Sequence, residues 1–213
     1  LKDYPKHEQV PEALYFLGES FYQLDKLDKA RGKFREVVSK HPNYRNFFYA
    51  LYRVGETSHL LGDNKSAEPA LGEFVAKRPD DPLLEYALPS LGRVQLRAGK
   101  AAEAKVTLGK ALEKFAKGRM AEQCQFDLAQ ASEQLGEKQV ATDLYRKLAA
   151  NMAGKLADDA QLALGTRSFE DKNYEAAQQA FQDLEQRFPK SPWLASAKLN
   201  RALCLYQLQR YDQ

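Results

Sequence analysis

Chemistry needs polar side chains that converge, and the candidates in this chain are few and scattered. His7, His41 and His59 are its three histidines, and none has a cysteine or a second histidine at ligand spacing. His41 precedes Pro42 and reads as a helix C-terminal residue that complements the dipole. Cys124 and Cys204 lie 80 residues apart, in no metal-ligand pattern, and read as buried thiols. The adjacent carboxylates Asp80-Asp81 and Asp158-Asp159 have the chemistry of a general acid–base pair. Both pairs fall at expected helix starts, where they complement the positive end of the helix dipole. The sequence holds no HExxH, no GxSxG, no phosphate-cradling glycine loop and no CxxC. The expectation is therefore no catalytic residue, no metal site and no cofactor.

What positions these residues is a soluble-type chain of 213 residues, 44% hydrophobic and 29% charged. No stretch approaches the roughly 18 apolar residues that span a bilayer, so no membrane insertion is expected. The net charge of +3, from 32 basic and 29 acidic residues, gives no basic stripe for nucleic acid. No feature specifies an oligomeric state.

Internal periodicity organises the chain. Pro5, Pro42 and Pro79 are each 37 residues apart. Gly18, Gly55, Gly92 and Ala129 keep the same spacing, with Gly165 36 residues later and Ala202 another 37. Ala30, Ala67, Ala104, Ala141 and Ala177 form a third column. Leu14, Leu17, Gly18 and Phe21 make the stripe of an amphipathic helix, Asp25-Lys26-Leu27-Asp28 breaks it, and Ala30, Phe34 and Val37 start a second stripe that ends near Pro42. Two antiparallel helices, A and B, are implied in each repeat. The small residue Gly18 is expected to face Ala30, letting the pair approach closely, with Phe34, Leu71, Leu108, Tyr145 and Phe181 filling the space beside it. Turn signals recur at Leu61-Gly62-Asp63-Asn64, Ala98-Gly99-Lys100, Leu135-Gly136-Glu137 and Asp171-Lys172-Asn173. Pro89 falls inside the third helix A and predicts a kink there; Pro69, early in the second helix B, is milder.

Ala13-Leu14-Tyr15-Phe16-Leu17-Gly18, Phe21, Ala30, Phe34 and Pro42 resemble the tetratricopeptide repeat family, and the resemblance recurs five times. Two departures stand out. Ser58, Gln95, Ser132 and Ser168 replace the helix A aromatic, and the period is 37 rather than 34. The extra residues lie between Pro42 and the next helix A, which is either lengthened by a turn or preceded by a longer loop. The resemblance implies an all-α, right-handed superhelical solenoid of antiparallel helix pairs over residues 1–213. Repeats are expected near 10–45, 46–82, 83–119, 120–155 and 156–192, with the end of a preceding repeat at 1–9 and a partial repeat at 193–213. The chain starts at Leu1 rather than Met and is expected to be an excerpt of a longer array.

Stacked pairs bury a continuous core and form a curved surface, which in this family takes up peptides along the A helices. Positions out of phase with the Leu-Gly stripe are expected to line that groove. They are Tyr15, Glu19 and Tyr22; Tyr49, Tyr52, Glu56 and His59; Tyr86, Arg93 and Arg97; Phe126 and Gln130; Phe169; and Tyr206. Tyrosine offers contact area at low entropic cost, although these aromatics have a competing reading as packing between A helices. Chaperone-tail receptors of the family clamp a carboxylate with Lys, Asn, Asn, Lys and Arg; the corresponding places here hold Tyr15, Glu19, Arg53, Tyr86 and Ser90, so that ligand is not expected.

The implied function is a non-catalytic scaffold that binds a protein or peptide partner and no nucleic acid. The alternative is a substrate-recruiting arm of a larger enzyme or regulator. Tyr4-Pro5-Lys6 with the segment Ala13 to Tyr22, and Phe188-Pro189-Lys190-Ser191-Pro192-Trp193, are similar to bacterial cell-envelope members of the family. Those include the periplasmic partner of the Tol–Pal system and the lipoprotein of the outer-membrane assembly machine. A periplasmic or envelope location is implied, with a cytoplasmic one as the alternative.

Overall fold

A computed structural model describes residues 7–210 and Asp212. The expectations placed on Tyr4-Pro5-Lys6 and on the turn at Tyr211 lie outside the described residues. Among the described residues every regular element is a helix. In chain order they are α1 (Val10–Gln23), α2 (Leu27–Lys40), α3 (Phe47–Leu60), α4 (Asn64–Lys77), α5 (Leu84–Arg97), α6 (Ala101–Lys114), α7 (Ala121–Gln134), α8 (Lys138–Ala150), α9 (Ala157–Glu170), α10 (Tyr174–Arg187) and α11 (Leu194–Gln207). Odd-numbered helices are the A helices and even-numbered ones the B helices.

The helix lengths explain the period. Each helix has 14 residues except α8, which has 13. A three-residue turn links A to B, and a six-residue connection links B to the next A. Together these give 37, and the short α8 gives the single step of 36. The residues beyond a 34-residue period thus sit in the connection, and no helix A is lengthened by a turn.

The tight turn is set by backbone geometry. Helix α1 ends with the amide of Lys26 donating to the Phe21 carbonyl and that of Asp25 donating to the Tyr22 carbonyl, the paired bonds of a Schellman cap. Such a cap needs one left-handed residue, and Gly62, Gly99 and Gly136 supply it with φ near 75°. Asp25, Lys172 and Gln209 adopt the same conformation with φ of 54°, 59° and 57°. Asp63 and Asn173 then cap the B helices α4 and α10 through their side-chain oxygens.

Close approach within a pair follows from the glycine column, by a contact different from the expected one. A Cβ on Gly18 would lie 2.6 Å from the Phe34 ring, and one on Gly55 or Gly92 would lie 2.6 Å from Leu71 or Leu108. On Gly165 it would lie 2.4 Å from Phe181. The large column rests directly on the glycine, and the nearest atoms over Gly18 belong to Phe34 rather than to Ala30. The alanine column is fully buried beside it. Pro89 does not interrupt α5, and its ring is buried in the core.

The chain groups into two compact units, residues 1–120 and 121–213. In unit 1, α2 packs on α3, α4 on α5, and the A helices α3 and α5 touch. Phe34, Val37, Leu51, Val54, Leu71 and Phe74 are its buried side chains at the helix interfaces. In unit 2, α8 packs on α9, α10 on α11, and α9 touches α11. Its core holds Tyr145, Leu148, Phe181 and Leu184. Both units pin their six-residue connections with a glutamate one repeat apart. Glu85 accepts the Arg119 amide at 2.6 Å, and Glu122 accepts the Lys155 amide at 2.9 Å.

Candidate protein-binding surface

In unit 1 the A helices α1, α3 and α5 bring charged and aromatic side chains onto one face. Arg53 of α3 is the centre. Its Nε and Nη2 donate to the two carboxylate oxygens of Glu19 on α1 at 2.7 and 2.8 Å, and its Nη1 donates to Glu56 at 2.6 Å. The guanidinium also lies 4.5 Å from the centre of the Tyr22 ring. These side chains are only about one-fifth exposed. Burial opposes the charge on Arg53, but the two carboxylates hold its pKa above the ordinary arginine value. Burial, and then Glu56, raises the Tyr22 phenol. Tyr15 is pushed up to about 12 by burial and by Glu19.

Sequence reasoning placed Arg53 only as a mismatch to the carboxylate clamp and missed its role. The signal was present: Glu19 and Arg53 are 34 residues apart, one period less about one helical turn, which joins neighbouring A helices. Glu133 and Arg167 in unit 2 have the same interval and bond at 2.7 Å. Two of the five clamp places are therefore consumed by the Glu19–Arg53 pair.

Next to this network, His59 on α3 is half-buried, and its Nδ1 is buried without a hydrogen-bond partner. Burial, then Arg97 and Arg93 on α5, lower its pKa to about 4. Arg97 is exposed, while Arg93 and Tyr86 are half-buried. Tyr49 turns toward the connection, where Arg78 lies 5.5 Å over its ring and donates to its hydroxyl at 3.4 Å. Arg78 also pairs with the buried Asp81 at 3.0 Å, and Asp81 accepts the Leu83 amide. Asp81 thus acts in the connection ahead of α5, whereas Asp158 and Asp159 do occupy the first turn of α9.

Three of the expected groove residues, Tyr15, Tyr52 and Phe126, pack against the paired B helix. Tyr52 is 3% exposed, lies 5.3 Å from the Phe74 ring and donates its hydroxyl to Glu56 at 2.8 Å. Tyr15 meets the Phe34 ring edge-on at 5.7 Å, and Phe126 meets Tyr145 at 5.4 Å. All three stand at equivalent repeat positions. A ring there is long enough to reach over the paired B helix, so core contact wins over the open face. In unit 2, Phe169 packs on Tyr174 at 5.3 Å, Gln130 is half-buried, and Tyr206 is 64% exposed.

Cys124 and Cys204 are buried free thiols. Among the described residues, no three His, Cys, Asp or Glu side chains converge in a way that could hold a metal ion. No described helix is long and apolar enough to cross a membrane.

Two stretches match tetratricopeptide-repeat models, residues 12–44 in unit 1 and residues 162–213 in unit 2. These two stretches carry tetratricopeptide repeats. No curated protein matches it in sequence. Solved tetratricopeptide-repeat structures share its fold at low identity. One is a tetratricopeptide repeat protein from Parabacteroides merdae ATCC 43184, 15% identical, with a TM-score of 0.73 over 94% of this chain and 74% of that one. MamA from Desulfovibrio magneticus RS-1 is 15% identical, with a TM-score of 0.72 over 86% of this chain and 97% of that one. PilW, described as a widely conserved type IV pilus biogenesis factor, is 17% identical, with a TM-score of 0.69 over 96% of this chain and 90% of that one. These similarities establish the helix-pair architecture, and tetratricopeptide repeats typically mediate contacts between proteins.

Proposed function

We propose that this chain is a non-catalytic scaffold whose α1–α3–α5 face in unit 1 binds a protein or peptide partner. The carrying observation is the Arg53 network. It fixes Glu19, Tyr22 and Glu56 on neighbouring A helices, with Arg93, Arg97 and Tyr86 on the next A helix, α5. A rigid, mixed aromatic and charged face reduces the ordering cost of association and gives electrostatic selectivity. Tyr206 and Gln130 are the corresponding candidates in unit 2.

The test is site-specific photocrosslinking in the full chain, in cells that express it. A crosslinking residue at Tyr22 or Arg97 should capture a discrete protein partner, whereas one at the exposed Val106 on α6 should not. Capture only from Val106, or from none of the three, overturns the assignment.

A bacterial envelope location is part of the same proposal, supported by the motif similarities at Ala13–Tyr22 and Phe188–Trp193. Cell fractionation that recovers the protein in the cytosol removes that part and leaves the binding face standing.

A further inference from the structure

Unit 2 contains a cavity of about 610 Å³, lined only by residues of that unit. It runs along the seam between the B helices α8 and α10, with α9 beneath. Its lining extends from Asn173, just before α10, to Arg187 at the end of that helix. At 1.5 Å of rise per residue the seam is about 20 Å long, the span of roughly six residues of extended chain.

The opening has a sequence cause. Ala149 lines it, and the equivalent places one, two and three repeats earlier hold Leu112, Val75 and Val38. Val38 is packed against the core clusters of unit 1. Where those repeats carry a branched side chain, unit 2 has a methyl group, and Ala176 and Ala180 on the opposite wall add little bulk.

The charges in the cavity are answered unequally. Arg167 is paired with Glu133, Asp171 with Lys138, and Arg146 with Asp143. Arg187 has only neutral partners among the described residues. Its Nη2 donates to the Ala149 carbonyl at 2.7 Å and contacts the Met152 sulfur at 3.1 Å, and its Nη1 donates to Gln161 Oε1 at 3.3 Å. Gln161 is itself 4% exposed and anchored by its amide to the Ala180 carbonyl at 2.9 Å, so the guanidinium is held in position. A guanidinium held this way is suited to a planar carboxylate, its strongest hydrogen-bonding partner. One turn earlier on α10, Asp183 accepts the Gln179 amide at 2.8 Å and disfavours a second acidic group at mid-seam. The hydroxyls of Thr142 and Ser168 donate to the Lys138 and Leu164 carbonyls, which leaves their oxygens, with Gln179 Oε1, to accept from the backbone amides of an extended chain.

We propose that the α8–α9–α10 seam is a second binding site, which takes an extended peptide segment of a partner protein with a glutamate side chain seated on Arg187. The length of the seam favours a chain over a compact metabolite, and the neutral hydrogen-bond partners of Arg187 leave its charge to a carboxylate.

The experiment titrates the full chain, by amide-resolved NMR, with the hexapeptide Ser-Ser-Glu-Ser-Ser-Ser and with its Gln-for-Glu counterpart. Saturable shifts should be confined to α8, α9 and α10, with the Glu peptide binding at least fivefold tighter than the Gln peptide. Arg187→Gln should erase that preference, because the readout is the difference between two ligands and not the stability of the fold. Ala149→Leu should weaken both peptides at least tenfold by filling the seam. If that variant does not fold, Ala176→Leu at the exposed end serves the same purpose. Lys110→Gln on the exposed side of α6 in unit 1 should change nothing. Equal binding of the two peptides, a preference that survives Arg187→Gln, undiminished binding with the seam filled, shifts centred on α1, α3 and α5, or no saturable shift overturns the proposal.

Discussion

Unit 1 and unit 2 are made from the same helix pair, yet they place their polar chemistry on different sides of it. On the A helices of unit 1, Arg53 bridges two carboxylates and covers Tyr22, with a neutral, poorly solvated histidine and two arginines alongside. On the A helices of unit 2 the corresponding link is a single pair, Arg167–Glu133, and Tyr145 donates to the same glutamate at 3.0 Å from the B helix. Unit 2 instead opens its B-helix seam at Ala149, where the repeats of unit 1 carry valine or leucine. The charge balance differs as well: residues 1–120 carry 21 basic and 16 acidic side chains, and residues 121–213 carry 11 and 13. The backbone sets only the columns. Substitution within a column decides which face is filled, charged or left open.

The largest expected effect concerns the glycine column, in which Ala129 of unit 2 stands where Gly55 stands in unit 1. A Cβ on Gly55 meets Leu71 Cγ at 2.6 Å and the Leu71 backbone nitrogen at 3.1 Å. Gly55→Ala should therefore destabilise unit 1 by about 2–3 kcal/mol through overpacking. At the equivalent place in unit 2 an alanine already packs in the Tyr145 cluster, and Ala129→Gly should cost only about 1 kcal/mol. Chemical denaturation of the two variants gives the ranking, and equal losses would show that the glycine is not required for close approach.

The next effect separates the ionic networks. Arg53→Ala leaves Glu19 and Glu56 together and unanswered in a partly buried site, for a loss of about 2 kcal/mol after allowing for water access. Arg167→Ala frees one carboxylate, which keeps the Tyr145 hydroxyl, and should cost about half as much. If the Arg167 loss matches or exceeds the Arg53 loss, the triad has no special weight in unit 1.

All three histidines lie in unit 1, so a histidine-linked pH response belongs to that unit alone. His59 has a folded-state pKa of about 4 against an ordinary value of 6.5. Between these values the unfolded chain binds a proton that the folded chain refuses. Stability therefore rises with pH across that window, and His59 has no influence above it. With discounting for partial solvent access, the acid-side loss is about 1–2 kcal/mol. His59→Gln should flatten the stability profile from pH 6.5 down to 4 relative to the parent. Parallel profiles for parent and variant would remove His59 as the cause.

The smallest effect sits in the turns. Lys172 in unit 2 adopts φ of 59° where Gly62, Gly99 and Gly136 serve other repeats. Lys172→Gly should raise the stability by about 0.5–1 kcal/mol, read as a higher midpoint of unfolding. Gly99→Lys in unit 1 should lower it by a similar amount, and thermal melts of both variants show whether turn strain is shared between the units.

The sequence by itself determined the repeat. Glycine, alanine and large apolar residues at a fixed interval specify paired helices, because the contact of the large residue on the glycine lies within one hairpin and depends on side-chain size. The three-residue turns, and the placement of the extra residues after Pro42, follow from the same local rules. Only the tertiary structure decided where the side chains out of phase with the buried stripe go. Tyr15, Tyr52 and Phe126 read as open-face residues, yet each ring lies on an aromatic of its paired B helix. The Glu19–Arg53 bridge and the seam at Ala149 belong to two repeats at once, and pairing between repeats is set by packing distances that a periodic pattern does not encode.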